Sequence, residues 1–135
     1  MVELIKKPII DEYLENLAEK QDPYADYEVI VYNLNDNYYQ TVDYIFEQTK
    51  HINFKNKDIQ YDYNNLLLVQ KINLLKFQYH ILHKQNFQAQ ETITQIFKIN
   101  DVLLKNSYNY IDVKAYITIQ NFTLDYYEKY KSLFS

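Results

Sequence analysis

Apolar residues recur at steps of three and four through every long segment of this chain, and that period admits α-helix and little else. The clearest case lies at 58–84. There Tyr61, Leu68, Ile72, Leu75, Tyr79 and Leu82 form one stripe and Leu67, Leu74 and Ile81 a second beside it. A helix apolar over so wide an arc is expected to be the central, most buried one. Similar stripes predict helices over 37–51 (Tyr38, Val42, Ile45, Phe46 and Thr49 inward) and 87–104 (Ala89, Ile93, Ile96, Phe97, Leu103 and Leu104), the latter capped by Asn86. A last helix is expected over 109–133, with Ala115, Ile119, Phe122, Tyr126, Tyr130 and Leu133 inward.

Near the start, Pro8 suits a first helical position, where no N–H is needed. Ile9, Ile10, Tyr13, Leu14, Leu17 and Ala18 then follow as one stripe. Gln21-Asp22-Pro23 ends this helix and opens another, with Asp22 as cap. Residues 24–34 combine a strand-favouring Val29-Ile30-Val31-Tyr32 with helical spacing of Tyr24, Tyr27, Val31 and Leu34; the Asp-Pro start and the helical neighbours make helix the expectation. The chain thus predicts an all-α fold of five to six helices in one domain, its 135 residues being too few for two.

Composition removes whole classes of chemistry. There is no cysteine, hence no disulfide framework, thiolate zinc site or cysteine nucleophile. There is no glycine, hence no phosphate-binding P-loop, dinucleotide turn or nucleophile elbow. Where a positive φ is needed, asparagine is the best substitute on hand, and Asn33, Asn35 and Asn37 are expected to mark a loop. Asn, Lys, Ile, Tyr and Phe make up 66 residues, all with AT-rich codons, so a genome of that bias accounts for much of the tyrosine content.

The net charge of −4 is uneven: residues 1–30 carry eight acids and three lysines, and the remainder is nearly balanced. This acidic N-terminal part reads as a solvated helix face, or as a docking surface for a basic partner. A nucleic-acid binder needs clustered positive charge, and arginine is absent. Lys55, Lys57, Lys71, Lys76 and Lys84, with Phe54, Tyr61 and Phe77, give only a mild positive stretch, so direct nucleic-acid binding is not expected. The N-terminus has no uninterrupted apolar core of a signal peptide, and the longest apolar run is Leu66-Leu67-Leu68-Val69. A cytoplasmic protein with no membrane association is expected.

Candidate chemistry is sparse. His80 and His83 stand three apart and could share a metal, but no third ligand follows one or two turns on. Asp11, Glu15 and Glu19 form a ladder of like charges without a pocket signal, and no serine neighbours a histidine. Neither an enzyme nor a cofactor is expected.

Self-comparison suggests two units of about 50 residues over 37–134. Sliding by 50 places Phe54-Lys55-Asn56 on Leu104-Lys105-Asn106, Tyr61-Asp62-Tyr63 on Ile111-Asp112-Val113, and Val69-Gln70 on Ile119-Gln120. Each unit would be a helical hairpin, and hairpins that cannot bury their apolar faces alone stack. Tyr63-Asn64-Asn65-Leu66, and Lys84-Gln85-Asn86-Phe87 leading into an amphipathic helix, resemble the degenerate tetratricopeptide repeats of low-GC Firmicutes. Those form sensor domains of regulators of the Rgg, PlcR and Rap kind and of phage-type repressors. The resemblance covers roughly 37–134; the period departs from the usual 34 or so, and Thr41 and Gln90 stand at alanine-like positions. It implies stacked hairpins that bind a protein or peptide on a concave face, in a transcriptional regulator.

On that arrangement the long helices would line one face with Asn65, Lys76, Tyr79, His80 and His83 from the first and Tyr116, Gln120 and Tyr127 from the second. The alternative is a free-standing inhibitor of phage or mobile-element origin: an anti-CRISPR, immunity protein or antitoxin, its acidity open to DNA mimicry. Tyrosines gathered near both ends (Tyr24, Tyr27, Tyr32, Tyr38, Tyr39; Tyr126, Tyr127, Tyr130) exceed what the core stripes absorb, so a homodimer or tight partner is expected.

Overall fold

The computed structural model describes residues 2–6, 36–55 and 58–134. The helices expected at 8–20 and 23–34, and most of the acidic N-terminal part, lie outside the described residues. Within them the fold is all-helical. It comprises α1 (Asp36–Lys50), α2 (Tyr63–Leu82), α3 (Asn86–Lys105) and α4 (Tyr110–Tyr130), closed by a 3-10 turn over Lys131–Phe134.

The central place of α2 is as its double stripe predicts: thirteen of its twenty residues are buried. It packs most extensively against α3, with α1 and α4 also against it. Leu66, Val69, Ile72, Leu74 and Phe77 of α2 meet Val42, Ile45 and Phe46 of α1 and Ile93, Ile96, Ile99 and Leu103 of α3 in one continuous core. At the far end, the rings of Tyr126, Tyr130 and Phe134 gather around Phe77 at centroid distances of 5.8, 6.0 and 6.2 Å. Four residues expected inward are exposed instead: Leu82, Leu104, Phe122 and Leu133. Leu82 is the last residue of α2, Leu104 and Leu133 stand one residue before the ends of α3 and of the 3-10 turn, and Phe122 lies on the flank of α4.

The start of α2 is five residues later than the apolar pattern suggests, and hydrogen bonding gives the reason. The backbone groups of 60–62 are taken by other parts of the chain. Val2 N donates to Gln60 O (2.8 Å), Asp62 N to Val2 O (2.7 Å), and Tyr61 N to the Asn106 carboxamide (3.0 Å). Helix can begin only beyond them, and Asp62 becomes the cap, its carboxylate accepting from Asn65 N at 3.0 Å. The N-terminal arm is held further by Asn65, whose side chain accepts from Leu4 N and Ile5 N and donates to Ile5 O.

The α2–α3 connection is a Schellman closure. Gln85 N donates to His80 O (2.8 Å) and Lys84 N to Ile81 O (3.1 Å), with Lys84 at φ 56° in the left-handed region. Lysine therefore stands where glycine is usual; Asn37, expected in a loop, is inside α1. Asn86, expected as the cap of α3, is its first residue, because the closure fixes Gln85 in the capping position. α4 is capped by Asn109, which accepts from Asp112 N (2.9 Å), while the Asp112 carboxylate accepts from Tyr108 N (3.0 Å). Asp62 and Asp112, paired by the 50-residue slide, both serve helix starts, one as the cap and the other within the first turn.

Candidate protein-binding face

Of the eight residues expected on a binding face, three are inside the molecule. Asn65 anchors the N-terminal arm. Lys76 and His80 are 2% and 1% exposed, which corrects their placement off the core stripes. They stand one turn apart on α2, where α1 and α3 close over them. The Lys76 ammonium donates to His80 Nε2 (2.9 Å) and to Thr92 Oγ1 (3.1 Å), lies 4.0 Å from the Phe46 ring centroid, and is 4.0 Å from an Asp43 carboxylate oxygen.

These partners fix the imidazole. An ammonium has only protons to offer, so Nε2 must accept; Nδ1 then carries the proton and donates to the Gln85 carboxamide oxygen at 2.7 Å. His80 is therefore neutral. Burial, and then the Lys76 charge, hold its pKa down at about 4. Burial likewise lowers Lys76, and burial beside Asp43 pushes the Tyr39 phenol up to about 12. The arrangement is a closed polar knot joining three helices. Its polar groups meet one another, and the contacts hold α1, α2 and α3 together.

The other five residues are scattered. Tyr79 is half-buried, stacked between Tyr39 (4.4 Å) and His83 (4.0 Å). His83 is exposed, and its Nδ1 bonds the Tyr79 carbonyl at 2.8 Å. Tyr116 is half-buried against the core. Gln120 accepts from the Asn100 side chain at 2.7 Å, in a network that runs from Gln70 of α2 through Asn100 of α3 to Thr123 of α4. Tyr127 is exposed, its ring edge-on to Phe97 at 5.8 Å. The structure thus brings Lys76 to His80 and Tyr79 to His83, and does not gather the eight on one surface. Among the described residues no group of three or more His, Asp and Glu is placed to hold a metal, and no helix is long and apolar enough to cross a membrane.

The surface feature that stands out takes in two of the expected residues, Gln120 and Tyr127, on a row the sequence did not single out as a whole. α4 has two apolar faces. Ala115, Tyr116, Ile119, Tyr126 and Tyr130 face the core. Tyr110, Val113, Ile117, Leu124 and Tyr127 are exposed, with Tyr110 at 78%, Ile117 at 49% and Leu124 at 42%. Together with Gln120 these follow strict three- and four-residue steps, so they lie along one line of the helix. Isolated exposed apolar residues are ordinary; a row of them along one helix makes that face a candidate contact surface. The signal was present in the sequence as a second heptad-like stripe in 109–133, masked because the first stripe already accounted for a core-facing helix.

Two clefts adjoin at the end of α3. One, of about 450 Å³, lies between Phe54, Tyr61, Lys105 and Tyr108. The other, of about 350 Å³, is lined by Lys55, Lys98 and Asp101 around the same Phe54. Their mixed charge and solvent-open lysines give no convergent set of polar groups of the kind that fixes a small ligand. The chain matches no family model, no curated protein and no solved structure.

Proposed function

We propose that this chain is a non-enzymatic protein-binding module whose contact surface is the outer stripe of α4. The observation that carries the reading is that row of five exposed apolar side chains on a helix that already packs a separate apolar face against the core. Covering it would remove apolar surface from water at roughly 25 cal/mol per Å². The test is capture of partners from cells on immobilised wild-type chain and on an Ile117→Glu/Leu124→Glu variant. A partner held by the first and lost by the second, with affinity reduced by about 2 kcal/mol or more, supports the reading; equal retention by both sinks it.

The finer form of the proposal is a tetratricopeptide-like regulatory domain. Its support is the order of two helix pairs: the starts of α1 and α3 lie 50 residues apart and those of α2 and α4 lie 47 apart. A DNA-binding helix-turn-helix encoded in the same reading frame would support it, whereas a short autonomous gene beside a nuclease or toxin would favour an inhibitor instead.

A further inference from the structure

We infer that the partner on the outer stripe of α4 is a second copy of this chain, laid antiparallel to the first. The inference rests on reading that stripe as a contact face, and adds the identity and direction of the occupant.

Charge decides both. Lys114, Asn121 and Glu128 are exposed and follow one another at seven-residue steps, so they border the stripe along a single edge. Lys114 and Glu128 stand equally far from Asn121, on opposite sides of it. Two α4 helices crossing antiparallel about Asn121 therefore place Lys114 of each copy against Glu128 of the other, twice over. A parallel pair would set this edge against the opposite edge of the other stripe, where Tyr116, Thr123 and Tyr130 stand turned toward the core, and would leave both charges without a partner. The same antiparallel register sets Ile117 near Tyr127 and Gln120 near Leu124 of the second copy, so the part of the row from Ile117 to Tyr127 meets itself and Tyr110 and Val113 lie beyond the seam. Glu128 already contacts Lys131 at 2.9 Å, but both side chains are more than half exposed, and such a pair is weak enough to be shared.

Gln120 is the one polar member of the stripe, and its carboxamide oxygen is already engaged by Asn100 of its own chain. The contact is isologous, so it closes on a dimer and leaves no free end for further growth.

The experiment is sedimentation equilibrium of the full chain across a concentration series, with circular dichroism as a check that each variant is folded. Wild type is expected to dimerise reversibly. Ile117→Glu/Leu124→Glu, at exposed sites that leave the core intact, is expected to be monomeric with unchanged helix content. Lys114→Glu alone is expected to weaken the dimer about tenfold, since it turns two attractive contacts repulsive. The reversed pair Lys114→Glu/Glu128→Lys is expected to restore it, which only an antiparallel arrangement allows.

A dimer that survives the double glutamate variant overturns the proposal, because another face then holds it. Failure of the reversed pair to recover overturns the antiparallel order. A wild-type monomer overturns self-association; if it still loses a captured partner on Ile117→Glu/Leu124→Glu, the contact face itself stands. A monomer in which chemical cross-links join α4 to residues 7–35 assigns the stripe to the chain's own N-terminal part and likewise overturns the proposal.

Discussion

Lys76 and His80 show how a buried charge can be held without a matching buried counter-charge. The ammonium is met by a neutral imidazole, a hydroxyl and an aromatic face, and only then by a carboxylate at 4.0 Å. Protonating His80 would set a second positive charge 2.9 Å from the first, which gives a pH dependence of definite sign. An unfolded histidine takes its proton near 6.5, and His80 in the fold near 4. Between these values the unfolded chain binds the extra proton, so stability falls as pH falls through the window and levels off below it. Urea unfolding should show wild type losing about 2–3 kcal/mol more than His80→Gln between pH 7 and pH 4; parallel losses would remove His80 as the cause. Lys84 gives a second prediction. A non-glycine residue in the left-handed region costs about 1 kcal/mol. Lys84→Gly should therefore raise the unfolding free energy by a few tenths to about 1 kcal/mol, and a loss would mean that the lysine side chain contributes more than its backbone costs.

At the scale of elements, α2 depends on contacts beyond its own sequence. Its first turn is capped by Asp62, and the preceding backbone is occupied by Val2 and Asn106. Asp62→Ala should cost about 1 kcal/mol, the usual value for a lost cap. Asn65→Ala removes three hydrogen bonds to the arm and should cost about 1–3 kcal/mol. Hydrogen exchange provides the finer check: the Leu4 and Ile5 amides should lose protection in Asn65→Ala while amides in the middle of α3 keep theirs. Equal loss everywhere would mean that the arm and the helices open as one unit. α4 is the opposite kind of element, with only Ile119 and Thr123 fully buried. It stands at the margin of the core, and its own packing leaves a second stripe uncovered.

For the molecule as a whole, polar contacts tie the helices together beside the apolar core. Asn100 lies between Gln70 on one side and Gln120 and Thr123 on the other, all within 3.2 Å. Tyr63 donates to the Asp112 carbonyl and Gln78 to the Tyr126 hydroxyl, each joining α2 to α4. Asn100→Ala would take one hydrogen bond each from Gln70, Gln120 and Thr123 and leave a small void, and should cost about 2–4 kcal/mol. Its effect should be strongly non-additive with Gln70→Met in a double-mutant cycle, since the two share one network; simple additivity would mean that the network is not coupled.

The helical fold and the central place of α2 were legible because they depend on the spacing of apolar residues, which the order of amino acids fixes locally. Val42, Ile45, Phe46, Ile72, Leu74, Ile93 and Ile96 are read inward from spacing and are buried. Spacing could not decide where α2 begins, because Val2 and Asn106 reach it from 45 to 60 residues away. Nor could it decide the fate of Asn65, Lys76 and His80. A polar side chain on a helix looks the same in sequence whether it meets water or a partner, and only the approach of α1, α3 and the arm supplied the partners that make burial affordable. The outer stripe of α4 is the converse case. Its spacing is written in the sequence, but an apolar stripe is free for a partner only once the fold has shown which stripe it did not use.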